Sequence, residues 1–178
     1  AAPDEEETAA LSRDHTLHIS RSGLVTITGG KWTTYRKMAE DTVDQAAILA
    51  ALETNPSVTK NLQIHGYHKN AEAFGELACY GSDAPAMLDL FRENIKYEEL
   101  LHPKFNIRIG EVIWAMRHEM ARTVEDFLSR RTRALLLDAR ASIEAAPIVA
   151  EWMSKELGRN RTWEKEQVKK YQDLAEGY

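Results

Sequence analysis

The residues best suited to chemistry in this chain stand together in Gly29-Gly30-Lys31-Trp32-Thr33-Thr34-Tyr35-Arg36. They follow an alternating run, Leu24-Val25-Thr26-Ile27-Thr28, and precede a long helical pattern. A strand that stops on two glycines and turns at once into a helix aims that helix's unpaired N–H groups at one spot. Such an N-terminus attracts phosphate, carboxylate or developing negative charge, and Lys31 adds a mobile full charge at the same place. The segment is suited to hold an anion near residues 29–34. The plainer alternative is a tight strand-to-helix turn with Lys31 in solvent. Just before the first strand, Ser12-Arg13-Asp14-His15 offers Arg13 as a bidentate donor to phosphate or carboxylate. Its alternative role is an ion pair with Asp14. Two nucleotide motifs are excluded by spacing: there is no Gly-x4-Gly-Lys-Ser/Thr loop and no Gly-x-Gly-x-x-Gly anywhere in the chain.

Other titratable residues offer less. Glu111, Arg117, His118 and Glu119 share one helical stretch, where a structural ion-pair network is the expectation. No metal is expected, because His-Glu-x-x-His is missing and no second His or Cys stands at ligand spacing. No Gly-x-Ser-x-Gly elbow supports Ser-His-Asp hydrolysis. The remaining histidines are scattered through loops and strand edges. Cys79 is the only cysteine, so no internal disulfide can form, and its apolar neighbours predict a buried thiol. The net charge of −5 argues against nucleic acid as a partner. No apolar run reaches the roughly 20 residues of a membrane span.

Several elements must position the glycine turn. Thr16-Leu17-His18-Ile19-Ser20, a turn at Arg21-Ser22-Gly23 and the run 24–28 form a β-hairpin pattern. A two-stranded hairpin is marginal alone, so its sheet neighbours are expected outside this chain. From Trp32 the helical period takes over: Trp32, Tyr35, Met38, Val43, Ala46 and Leu49 share one face, to about Leu52. Asn55-Pro56-Ser57 ends it, and residues 58–69 read as irregular. Helices then follow at 71–80, stopped by Gly81, from Ser82 or Asp83 to about Arg92, and around 97–101. Others are expected at 109–120 and after a Thr123 cap. A further helix after Asp138 should kink at Pro147, and a last one is capped by Thr162. The predicted class is mainly α: a helical bundle domain preceded by a short hairpin and a long helix.

The run 22–41, from Ser22-Gly23-Leu24 through Gly29-Gly30-Lys31-Trp32-Thr33-Thr34-Tyr35-Arg36 to Glu40-Asp41, closely resembles the FAD-dependent glycerol-3-phosphate dehydrogenases, nearer the mitochondrial type. Gly110-Glu111-Val112, Glu119-Met120-Ala121 and Ser129-Arg130-Arg131-Thr132-Arg133 continuing to Leu157 resemble the helical C-terminal domain of the same family. The resemblance implies a C-terminal portion of a flavoenzyme that oxidises sn-glycerol 3-phosphate to dihydroxyacetone phosphate, with FAD passing electrons to quinone. The fragment alone is expected to be inactive. By position, Arg13 is implied to hold the substrate phosphate, and Lys31 and Thr33 to meet substrate. Gly29, Gly30, Lys31, Trp32 and Thr33 are implied at the edge of the flavin, with Lys31 the catalytic charge. Hydride transfer from the substrate to the flavin leaves negative charge near N1 and C2=O, where a helix N-terminus and a lysine stabilise it. The domains implied are a flexible or cut end at 1–12, the hairpin and helix of the FAD domain at 13–54, a linker at 55–69 and the helical domain at 70–178. The implied partners are the upstream FAD domain of the same chain and a peripheral contact at the inner face of a membrane, for an otherwise cytoplasmic protein. Two alternatives stay open: an oxidase of the same family that uses oxygen, and an independent helical interaction module.

Overall fold

A computed structural model describes residues 14–178; the expectations for Arg13 and for the end at 1–12 lie outside the described residues. The chain divides after Ile64 into two compact units. In the first, β1 (His15–Ile19) and β2 (Val25–Gly29) pair antiparallel, with Leu17 opposite Ile27 and His15 opposite Gly29. The tight turn between them closes through Ser20 N–H to Leu24 C=O at 3.0 Å. His15, Leu17, Val25 and Ile27 are the half-covered positions of an otherwise exposed hairpin, the alternation a one-sided sheet requires. A 3-10 turn, Trp32–Thr34, leads directly into α1 (Tyr35–Leu49), and a further 3-10 turn spans Thr59–Asn61. The helix stops where Ala51 takes a φ of +52°, close to the predicted end. Among the described residues up to Ile64 none is buried.

The second unit holds the core. The helix expected at 71–80, stopped by Gly81, instead belongs to tandem 3-10 turns over Ala71–Asp83, broken where Gly75 and Gly81 take φ values of +56° and +54°. A Cβ on Gly81 would stand 1.8 Å from the Gly66 carbonyl oxygen, so glycine is fixed there by a close backbone approach. Then come α2 (Ala84–Glu93), a 3-10 turn at Ile95–Glu98, α3 (Ile109–His118) and a wide π-type turn at Asp126–Arg131. The chain ends with α4 (Ala134–Leu137), α5 (Ala139–Leu157) and α6 (Arg161–Ala175). Eight consecutive residues of α3, Ile109 to Met116, are buried, which makes it the central helix. Met87, Phe127, Leu128, Val149, Met153 and Tyr171 close around the same core.

Three local expectations are corrected. Pro147 does not restart the helix: α5 continues through it, with Pro147 on the exposed side while Ala145, Ala146, Val149 and Ala150 are buried. The cap of α6 is Asn160, whose side-chain oxygen accepts Trp163 N–H at 3.0 Å, rather than Thr162. Cys79 is exposed rather than buried. The Thr123 cap is present: its Oγ1 accepts Asp126 N–H at 3.1 Å, and the Asp126 carboxylate accepts Thr123 N–H at 3.0 Å.

Candidate functional site

Strand, glycines and helix meet where the sequence placed them. Gly29 and Gly30 have φ values of +78° and +76°, a region that L side chains rarely adopt. A Cβ on Gly30 would also lie 2.5 Å from Met38 Sδ, so the turn folds down onto the first turns of α1 because position 30 has no side chain. Lys31 is extended (φ −125°, ψ 157°). Its N–H donates to Thr34 Oγ1 at 3.0 Å, and the same hydroxyl donates back to Lys31 C=O at 2.9 Å. The Lys31 N–H is therefore not on offer to a ligand. Among the described residues the N–H groups of Trp32 and Thr33 meet no acceptor, so they and the Lys31 ammonium are candidate donors to a ligand. Trp32 is 89% exposed and forms the rim of the turn with Tyr35, ring centroids 6.1 Å apart.

The charges at this helix start run against the helix dipole. The first turns hold no acid, while Lys31, Arg36 and Lys37 crowd the positive end. Each cation there is disfavoured by about 0.3–1 kcal/mol unless an anion accompanies it. Arg36 and Lys37 have partners one turn on: Arg36 pairs with Glu40, and Lys37 with Asp41 at 2.7 Å. The Arg36 hydrogen bond holds the Glu40 carboxyl below its usual range, and the Lys37 hydrogen bond does the same for Asp41. His15 Nε2 reaches Asp41 at 3.0 Å and so ties β1 to α1. Glu40, Asp41 and Asp44 are close enough to suggest a cation site; two of the three are already neutralised by these partners, and the group is read as ion pairing. Of these three cations at the helix start, only Lys31 has no ion pair among the described residues. A positively charged, glycine-opened turn at a helix start suits an anion.

Sequence reasoning missed Thr34 and the His15–Asp41 tie. A reciprocal cap is usually signalled by Ser or Thr at the first position and an acid three residues later; here lysine comes first and threonine closes it, so the usual pattern is absent.

The second titratable cluster is structural. The buried Glu111 carboxylate accepts Arg108 N–H at 2.7 Å and Tyr80 O–H at 2.8 Å, closing α3 at its start. Burial pushes the Glu111 carboxyl and the Tyr80 hydroxyl up. Arg117 bridges Glu156 at 2.6 Å and Glu93 at 3.3 Å, and His118 stacks on Trp114 at 4.0 Å. Arg130 holds Glu125 and Asp126, and Arg131 donates to the Glu119 carbonyl at 2.6 Å.

Fold and site together define a helical domain preceded in sequence by a strand–glycine–helix turn suited to an anion. The family described as the C-terminal domain of alpha-glycerophosphate oxidase matches residues 24–168, and the chain belongs to this family. A probable mitochondrial glycerol-3-phosphate dehydrogenase of Caenorhabditis elegans is 34% identical over 94% of this chain and 26% of its own length. The mitochondrial glycerol-3-phosphate dehydrogenases of Arabidopsis thaliana and Mus musculus are 32% and 35% identical, over 33% and 25% of their lengths. The chain thus spans a quarter to a third of the curated relatives it matches. The crystal structure of glycerol-3-phosphate dehydrogenase from Bacillus halodurans complexed with FAD is similar to the chain with a TM-score of 0.62 and 26% identity, over 91% of this chain and 36% of that one.

Proposed function

We propose that the chain is the C-terminal part of a flavoenzyme that oxidises sn-glycerol 3-phosphate to dihydroxyacetone phosphate. The observation that carries this is the turn at 29–34: an unpaired lysine and two N–H groups without acceptors at a helix start without acids, in a chain whose relatives bear that enzyme's name. FAD, when bound, supplies the two-electron acceptor. Trp32 N–H, Thr33 N–H and the Lys31 ammonium stabilise negative charge at its pyrimidine edge, and Gly29 and Gly30 leave the backbone open to approach. Lys31 and Thr33 face the substrate, and Arg13 pairs with its phosphate. Losing one such preorganised charge costs on the order of 10²–10³ in rate, the loss expected for Lys31→Met. Without a Gly-x-Gly-x-x-Gly in its sequence, the chain relies on the upstream FAD domain to hold the pyrophosphate.

That domain also accounts for the bare first unit. Tyr35, Val43, Val58, Leu62 and Ile64 line an open, mainly apolar groove of about 800 Å³ beside α1, a surface that the rest of a flavin domain would cover. On this reading 13–54 complete the FAD domain, 55–69 link it to the helical domain and 70–178 form that domain. Electrons leave to quinone at a membrane surface. Among the described residues no helix is long and apolar enough to cross a bilayer, in keeping with peripheral contact of a cytoplasmic protein at the inner face. The relatives carry mitochondrial names. Because the family description names an oxidase, oxygen is the second reading for the acceptor.

The test is the visible spectrum of the full-length parent protein before and after glycerol 3-phosphate is added without oxygen. A flavin spectrum that bleaches supports the proposal, and a colourless protein that takes up no FAD refutes it. Readmitted oxygen that restores colour within turnover times selects the oxidase.

A further inference from the structure

The turn that presents Lys31 is held by one side chain. Thr34 Oγ1 accepts the Lys31 N–H at 3.0 Å and donates to the Lys31 carbonyl at 2.9 Å, while Thr34 N–H donates to that carbonyl at 2.9 Å. Both polar atoms of the Lys31 backbone are consequently tied to Thr34. This fixes the peptide plane between Lys31 and Trp32, and with it the direction of Trp32 N–H and the root of the Lys31 side chain. On the other side, Met38 fills the space below Gly30 and gives the turn a floor but no orientation. A segment with two consecutive positive-φ glycines has little stiffness of its own. Thr34 is half-buried, and its hydroxyl bonds to the Lys31 backbone on both sides, so its effect on a bound group passes through Lys31.

We infer that Thr34 is a positioning residue of the oxidation chemistry: it orients Lys31 and the Trp32 N–H toward the anionic edge of the flavin. This rests on the flavoenzyme reading above. An ordinary helix cap would contribute about 1 kcal/mol of stability and leave the electron acceptor untouched. A positioning role makes a different demand, because electrostatic stabilisation depends on donors held in place before charge develops.

The measurement is the midpoint potential of bound FAD in the full-length parent protein, wild type, Thr34→Val and Thr34→Ser, with kcat and KM beside it. Valine keeps the shape and removes the hydroxyl; serine keeps the hydroxyl. Thr34→Val is expected to lower the preference for the reduced form about tenfold, a potential about 30 mV more negative for a two-electron couple. A fall of about tenfold in kcat with a smaller change in KM is expected alongside, as for an interaction made in the transition state. Thr34→Ser should stay within about twofold of wild type. If Thr34→Val does not fold, Thr34→Cys carries the same test through its weakly bonding thiol. A variant that lowers the melting temperature but keeps the wild-type potential overturns the inference and leaves the flavoenzyme reading standing. A parent protein that takes up no FAD overturns both.

Discussion

At the scale of single residues, burial and pairing separate the groups that serve the fold from those left open to solvent. Glu111 is buried, bonded on both carboxylate oxygens and closes α3. Lys31 is exposed and unpaired among the described residues. Both were visible in the sequence as titratable side chains, but only the hydrogen bonds tell which is occupied. Burial raises the Glu111 carboxyl above its usual value, so the protonated form is favoured in the folded state. The corresponding stability is present in full below the unfolded carboxylate value of about 4.3 and is lost as the pH rises through the raised folded value. Glu111→Gln cannot ionise, so its melting temperature relative to wild type is expected to climb between pH 4 and pH 7. Thermal unfolding of the 178-residue chain across that range reads this directly, and a relative melting temperature that falls with pH would refute it. Glu111→Ala also strands the Tyr80 hydroxyl and the Arg108 N–H and should cost about 1–3 kcal/mol relative to Glu111→Gln.

Among the elements, patterns that repeat every three or four residues were legible, and backbone geometry set by single close contacts was not. The apolar spacing from Trp32 onward anticipated α1, and the run after Asp138 anticipated α5. The tandem 3-10 turns at Ala71–Asp83 were hidden because their composition suits a helix. What decides them is the Gly66 carbonyl pressed against Gly81, a contact between residues fifteen apart that no local pattern encodes. Pro147 misled in the opposite direction. Its missing N–H normally breaks a helix, yet α5 continues past it with the alanine and valine face on either side buried. The cap of α6 provides an element-scale test, since the sequence pointed to Thr162 and the structure places the cap at Asn160. Asn160→Ala should destabilise the chain by about 1 kcal/mol, whereas Thr162→Ala should change its stability by less than about 0.5 kcal/mol. Chemical denaturation of the two variants separates them, and equal effects would mean that the cap seen at Asn160 does not hold the helix.

Across the whole molecule, the two units differ in kind. Residues from His65 on bury a continuous core that runs from Leu77 to Ala175. Residues up to Ile64 form a hairpin, a helix and a groove without a buried side chain among those described. Hydrophobic burial is the main favourable term in folding, and a bare hairpin packed on one helix falls well short of the conformational entropy it must offset. On the proposed reading the hairpin is a piece of a larger sheet, in a chain that spans a quarter to a third of its relatives. The consequence is a steep gradient of local stability. In the isolated chain the amides of β1, β2 and the first turns of α1 should exchange with solvent nearly as fast as unstructured peptide. Those of α3 and α5 should exchange only through global unfolding. In the full-length parent protein the hairpin amides should slow by at least a hundredfold, because opening them there would also expose the surface that covers them. Hydrogen exchange followed by mass spectrometry on both proteins measures this. Slow exchange across residues 15–29 in the isolated chain would mean that the hairpin stands by itself, and the case for an upstream domain completing its sheet would then fail.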